Sequence, residues 1–266
     1  MSPKIRIGSF ISGGGTNLQA IIDACESNQI NGEVVFVAAD NANAGGLRRA
    51  QKHNIPTFTI DYGAVIRQYR TQSDQLALPD DFDLEAMRQK QTLFDPESNQ
   101  RTIDAFLITR AAAEAQLLQR MSPFDIDLLV LAGFMRNLSP YFIDHFNIAP
   151  NQPRIMNIHP ALLPAFPGVD GYGDTFRYGC KVGGCTVHFI DYGEDSGPII
   201  GQKAFTISDE DTLDNVKHKG LALEWELYPE CIQLFADKRL TTVTMTHTLD
   251  NGDVIQRKIV KVAERK

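Results

Sequence analysis

Asn157 and His159 stand two residues apart in Met156-Asn157-Ile158-His159-Pro160, and Pro160 and Pro164 stop regular structure just beyond them. In an extended strand alternate side chains share a face. This spacing therefore sets an amide donor beside a titratable imidazole and turns Met156 and Ile158 the other way, into a core. An amide next to an imidazole suits a reaction that develops an oxyanion and moves a proton. Taken alone, Asn-x-His is also what a plain strand end with an exposed Asn and a neighbouring His looks like.

A second chemical feature is Ser12-Gly13-Gly14-Gly15-Thr16-Asn17. An alternating apolar stretch precedes it, and Leu18, Ile21, Ile22 and Cys25 follow at the i, i+3, i+4, i+7 spacing of a helix packed on a sheet. Strand, glycine loop and helix together make an anion site: the glycines allow close backbone approach, and the helix start presents free N–H groups and a positive dipole end. Neither the Gly-Lys-Ser/Thr pattern of nucleoside triphosphate loops nor the dinucleotide glycine spacing is present, so a phosphate monoester suits the loop better. A tight turn between strand and helix remains the simpler alternative for the loop by itself. The third feature is a carboxylate, Asp195, in the loop Tyr192-Gly193-Glu194-Asp195-Ser196-Gly197-Pro198.

The elements that must position these residues alternate. Strands are expected at residues 4–11, 33–39, 57–60, 126–132, 154–158, 185–191 and 199–206, and helices after the glycine loop and at 45–53, 103–121 and 212–236. Such alternation predicts an α/β fold: a mostly parallel twisted sheet with helices on both faces and ligands at the carboxyl ends of the strands. The glycine loop and Asn157 then share one sheet edge. Residues 63–98 show weak periodicity and read as a surface insertion or lid, and residues 168–173 as a glycine-rich loop. Two strand-like stretches, 241–249 and 254–262, flank Asp250-Asn251-Gly252-Asp253, a strong hairpin signal.

At 266 residues, 43% hydrophobic and 22% charged, the chain has the composition of an ordinary globular protein. Its net charge of -7 argues against general nucleic-acid binding, which needs a basic surface. The four cysteines, Cys25, Cys180, Cys185 and Cys231, contain no C-x-x-C pair and no partner set at zinc-site spacing, so reduced thiols in a cytoplasmic protein without a metal are expected. Neither a signal-peptide core nor a membrane-length apolar run is present.

Four segments carry a family likeness: Ile11-Ser12-Gly13-Gly14-Gly15-Thr16-Asn17-Leu18-Gln19, Leu131-Ala132-Gly133-Phe134-Met135-Arg136, Asn157-Ile158-His159-Pro160-Ala161-Leu162-Leu163-Pro164, and residues 184–200 from Gly184-Cys185-Thr186-Val187-His188-Phe189 to Asp195-Ser196-Gly197-Pro198-Ile199-Ile200. Across residues 4–240 the chain resembles the phosphoribosylglycinamide formyltransferases, which move a formyl group from 10-formyltetrahydrofolate to the amine of glycinamide ribonucleotide in purine synthesis. The resemblance implies a formyltransferase domain over residues 1–240 carrying the 63–98 insertion, with residues 241–266 as a hairpin extension. It implies Asn157, His159 and Asp195 as catalytic, Gly15, Thr16 and Asn17 at the acceptor phosphate, and Glu224 at its ribose. Met135, Arg136, Asn137 and Leu138 would line the folate pocket, the loop Tyr192-Gly193-Glu194-Asp195 would close over the pterin, and Arg101 would meet the folate tail. His188 would either support the site or be satisfied in the core.

By the same resemblance the partners are the ribonucleotide and reduced folate, with no nucleic acid, membrane or metal, in a monomer or homodimer. Many relatives continue Pro-Gly with a His-rich helix start, whereas this chain has Pro167-Gly168-Val169-Asp170-Gly171-Tyr172-Gly173-Asp174. The nearest rival is a 10-formyltetrahydrofolate deformylase, which shares the Asn, His and Asp but is expected to carry an N-terminal regulatory domain before the loop. A transfer-RNA formyltransferase would be expected to add a larger C-terminal domain. A non-catalytic phosphate-ligand binding protein would need the glycine loop but not the other three residues.

Overall fold

The computed structural model describes residues 3–95, 97–149 and 151–264. The first alternating stretch forms β1 (Ile5–Ile11), and after the glycine loop come α1 (Thr16–Glu26), β2 (Gly32–Ala39), α2 (Gly45–Lys52) and β3 (Thr57–Thr59). Helices α3 (Tyr62–Thr71), α4 (Leu84–Lys90) and α5 (Gln100–Met121) then lead to β4 (Leu128–Leu131), α6 (Pro140–Phe146) and β5 (Ile155–His159). The remainder is α7 (Gly171–Arg177), β6 (Val182–Phe189), β7 (Ile199–Thr206), α8 (Leu213–Ala236), β8 (Leu240–Thr248) and β9 (Val254–Val262).

Seven strands form one sheet in the order β3-β2-β1-β4-β5-β6-β7. All neighbours are parallel except β6, which runs against both β5 and β7. The expected α/β architecture is therefore present, with one reversed strand that hydrophobic runs alone do not reveal. Register does the positioning: Phe10 pairs with Leu131, Leu131 with Asn157, and Asn157 with His188. The carboxyl ends of β1, β4 and β5 are level, and the loops that follow them open on one edge.

Period-two alternation divides the core between the two faces. Ile7, Ile11, Val37, Val130, Met156 and Ile158 pack with Leu18 and Ile21 of α1, Ala50 of α2 and Tyr228 and Ile232 of α8. Phe10, Phe36, Ala38, Leu129, Leu131 and Ile155 pack with Val65 of α3, Ala112 and Leu117 of α5 and Phe142 of α6. Tyr228, fully buried, donates its hydroxyl to the carbonyls of Met156 and Leu131 and so ties α8 to β4 and β5 beside the site.

The 63–98 segment carries α3 and α4 and is packed on the domain, not a loose lid. Asp61 accepts from the backbone N–H of Ala64 at the start of α3, and Asp83 accepts from Glu85 and Ala86 at the start of α4. Met87 joins Ile103, Leu107, Ala111 and Tyr141 in a satellite cluster, and Arg88 grips Asp104 of α5 with two hydrogen bonds of 2.8 Å. Residues 168–173, expected as a loop throughout, instead enter α7 at Gly171. The C-terminal hairpin forms as expected, β8 and β9 pairing from Leu240 with Val262 to Thr248 with Val254.

Candidate active site

Asn157 and His159 both come from β5, and Asp195 arrives from the loop between β6 and β7. The His159 ring is buried, with 3% of its side chain exposed; Nδ1 lies 3.0 Å from Asp195 Oδ2 and Nε2 lies 2.8 Å from the carbonyl oxygen of Phe166. Both ring nitrogens thus face acceptors, an arrangement that only the doubly protonated imidazolium satisfies. Burial opposes that charge, but the Asp195 carboxylate and the Phe166 carbonyl outweigh it and hold the imidazole above its ordinary value. Burial likewise works against the Asp195 anion, yet hydrogen bonds from His159, His188 and the Gly168 N–H hold its carboxyl well below the usual carboxylate range.

Phe166 and Asp195 both adopt left-handed backbone, at φ 53 and φ 49. A bulky residue there is a genuine outlier, and it aims the Phe166 carbonyl at the ring. The Asn157 amide has weaker partners: Nδ2 is 3.5 Å from Asp195 Oδ1 and 3.4 Å from His188 Nε2. His188 is fully buried, donates from Nδ1 to the Phe189 carbonyl at 3.0 Å, and turns Nε2 toward Asn157 and Asp195. It is at once a core histidine and a support of the site.

Around this centre lies a cavity of about 310 Å³ whose walls include Asn17, Met135, Arg136, Asn137, Leu138 and Glu224. Gly193, Glu194 and Asp195 form its lid side, and Leu93 reaches it from the segment after α4, where the Thr92 N–H donates to the Tyr192 carbonyl. The glycine loop borders the cavity through Asn17. Its outer side shares a shallow depression with Arg48, Arg49 and Lys52 of α2, and Arg49 donates to the Gly14 carbonyl at 2.8 Å. Gly15, at φ 72, leads into α1, and no side chain caps that helix. The loop therefore offers uncapped N–H groups beside cationic side chains, as an anion site requires.

Comparison with known proteins bears directly on this geometry. The formyl transferase family pattern matches residues 5–232. The chain belongs to the formyl transferase family. It is 34% identical over 231 residues to the phosphoribosylglycinamide formyltransferase of Escherichia coli, covering 87% of each chain. It is 30% identical over 224 residues to that of Bacillus subtilis, covering 84% of this chain and 91% of the relative. Glycinamide ribonucleotide transformylase 1 from Symbiobacterium toebii superposes with a TM-score of 0.71 at 34% identity, covering 99% of this chain and 96% of that one. A formyltetrahydrofolate deformylase from Pseudomonas syringae shares the fold at 19% identity and a TM-score of 0.66.

Within this formyl transferase, Asn157, His159, Asp195, Asn17, Glu224 and residues 135–138 come together, with Gly15 and Thr16 just outside the cavity wall. Arg101 does not join them. It lies exposed in the first turn of α5, where Asn99 accepts from its backbone N–H. The arginine at the cavity is Arg136, whose Nε donates to Asp40 at 2.6 Å; behind the wall, buried Arg110 donates from Nε to the Asn137 carbonyl at 3.1 Å. Arg110 was not singled out from the sequence because it sits mid-helix in an alanine-rich run, and only the fold shows its guanidinium 5.0 Å from the Tyr62 ring and 4.9 Å from that of Phe106. Among the described residues no group of three or more His, Cys, Asp or Glu side chains is arranged to hold a metal.

Proposed function

We infer that this formyl transferase moves the formyl group of 10-formyltetrahydrofolate to the amine of glycinamide ribonucleotide. The observation that carries the reading is a buried imidazolium, fixed between Asp195 and the Phe166 carbonyl, beside a loosely partnered Asn157 amide on the same sheet edge as the uncapped start of α1. Gly15, Thr16 and Asn17 take the acceptor phosphate and Glu224 its ribose, while Met135, Arg136, Asn137 and Leu138 take the folate.

The acceptor amine attacks the formyl carbon, and the carbonyl electron pair moves onto oxygen. Asn157 Nδ2 donates to that oxyanion, a kind of contact commonly worth about 3 to 4 kcal/mol. His159 contributes its positive charge; its N–H groups are already engaged, so direct donation requires the substrate oxygen to replace the Phe166 carbonyl at Nε2. Asp195, held ionised by His159, His188 and the Gly168 N–H, keeps the imidazolium charged, and the ammonium proton leaves through water. Collapse of the tetrahedral adduct expels the folate nitrogen, which takes up a proton as it departs.

Residues 1–240 form the catalytic domain in this reading and residues 241–266 an extension, which agrees with a family match that ends before β8. The enzyme in this reading is a monomer or homodimer. A cytoplasmic setting is supported by four free cysteines, and no described helix is long and apolar enough to cross a membrane. The test is formyl transfer followed by the absorbance of the tetrahydrofolate product. Asn157→Ala and His159→Ala should each lower kcat by at least about a hundredfold. Rates unchanged by both substitutions would reject the site, and equal turnover without the ribonucleotide would make the enzyme a deformylase.

A further inference from the structure

One buried polar cluster at the cavity is not accounted for by formyl chemistry. Glu224, from α8, is 5% exposed, and both its oxygens are already engaged: Oε2 accepts from Asn17 Nδ2 at 2.6 Å and Oε1 from the Tyr172 hydroxyl at 2.6 Å. An ionised carboxylate only accepts, so Asn17 must turn its NH2 toward Glu224, which leaves Oδ1 facing elsewhere. That Oδ1 is buried and has no partner in the protein, although Asn17 lines the cavity. A buried acceptor without a donor is costly, and a ligand hydroxyl or N–H entering the cavity would supply one. Each Glu224 oxygen retains a second lone-pair site for a further donor.

Tyr172 lies in the first turn of α7. Its ring is 6% exposed and is packed so closely on α8 that a Cβ at Gly220 would stand 2.1 Å from Cζ. Gly220 is therefore the residue that admits this tyrosine. We propose that Tyr172 is a positioning residue for the acceptor sugar: its hydroxyl and the Asn17 amide hold the Glu224 carboxylate in one orientation, so that Glu224 and Asn17 Oδ1 together receive the vicinal hydroxyls of a ribose phosphate. This rests on the assignment of Glu224 to the acceptor ribose.

A tyrosine hydroxyl stabilises the charged form of the carboxylate. The groups facing Glu224 are Asn17 from α1, Tyr172 from α7, His159 from β5 and, through Tyr172, Cys185 from β6. Burial raises the Glu224 pKa, while Asn17, Tyr172 and the charge on His159 all pull it down. Loss of the hydroxyl removes one restraining donor, so Glu224 should then protonate at higher pH.

The experiment compares Tyr172→Phe, Gly220→Ala and Glu224→Gln with the wild type, varying glycinamide ribonucleotide and folate in turn across pH. Tyr172→Phe removes one oxygen and keeps the ring. It should raise the KM for the ribonucleotide about tenfold, leave the KM for folate within about twofold, and move the acidic limb of kcat/KM for the ribonucleotide to higher pH. Gly220→Ala, which displaces the same ring from the α8 side, should give the same acceptor-selective change. If Glu224→Gln raises the acceptor KM while Tyr172→Phe changes neither KM nor the limb, the positioning role is refuted and the ribose assignment stands. If Glu224→Gln leaves the acceptor KM unchanged, the ribose assignment itself fails, and the role of Tyr172 with it.

Discussion

Replacing Asp195 with Asn removes the charge that keeps His159 protonated while leaving an oxygen that can still accept from Nδ1 and from the Gly168 N–H. At 3.0 Å and an effective dielectric of about 20, the His159–Asp195 attraction is about 5 kcal/mol before the cost of burying both groups. That attraction is what overcomes burial, so in Asp195→Asn burial prevails and the imidazole titrates below its ordinary value of 6.5 instead of above it. A histidine whose pKa is raised stays charged as pH rises, until the pH passes the raised value. The wild type should therefore lose kcat/KM on a limb above the ordinary imidazole value, whereas Asp195→Asn should lose it on a limb below that value. At a pH between the limbs of the two proteins the expected deficit is about a hundredfold to a thousandfold, the usual cost of losing one preorganised charge at an oxyanion. Near pH 5, where the variant imidazole regains its proton, the deficit should shrink. The assay is a pH profile of kcat/KM with both substrates, run beside a thermal melt at each pH. An alkaline limb at the same pH in both proteins would refute the assignment of the charge to Asp195, and so would a variant rate within about threefold of wild type at every pH.

Two further predictions concern groups outside the reacting pair. Glu114, fully buried, accepts from the Ser139 backbone N–H at 3.0 Å and from its hydroxyl, and burial pushes its carboxyl up to about 7. An acid raised in the folded state binds its proton more tightly there, so stability falls as pH rises from 4.5 to about 7, by about 3 kcal/mol in all. Glu114→Gln should remove that loss, gaining stability over wild type at pH 8 but not at pH 4 in urea titrations; a gap independent of pH would show that Glu114 does not ionise in this range. Gly15→Ala imposes a side chain at φ 72, with its Cβ 2.7 Å from Gly46 Cα, so the loop must open at a cost of about 1 to 3 kcal/mol. The KM for the ribonucleotide should rise about tenfold or more with that for folate unchanged, and an equal rise in both would place the loop's role elsewhere.

Much of the fold was legible because its strands are long apolar runs between glycine and proline boundaries, and βαβ alternation then brings the loop at Gly13 and the pair at Asn157 to one edge. What stayed hidden has physical reasons. Helices α3 and α4 are too short for a clear periodic stripe, with 10 and 7 residues. Their starts were nevertheless marked by Asp61 and Asp83, aspartates of the kind that cap helices. Pattern reading treats an exposed arginine such as Arg101 and a buried one such as Arg110 alike, and only packing shows that Arg110 reaches the Asn137 carbonyl. Tyr172 was lost in a stretch that reads as loop, because its place depends on the missing side chain at Gly220, more than forty residues away.

The backbone changes the division of labour read from Asn157 and His159. Side-chain types alone make both residues donors to the same oxyanion. The carbonyl of Phe166 occupies the nitrogen that would do this, and it is aimed there by a left-handed backbone that a phenylalanine adopts only under constraint. A second acceptor on the ring secures the imidazolium even without substrate, so the positive charge is in place before the formyl carbon is attacked. Asn157, with partners no closer than 3.4 Å, gives up little when it turns to the oxyanion. The charge is thus preorganised on the residue that need not move, and the hydrogen bond is left to the one that can.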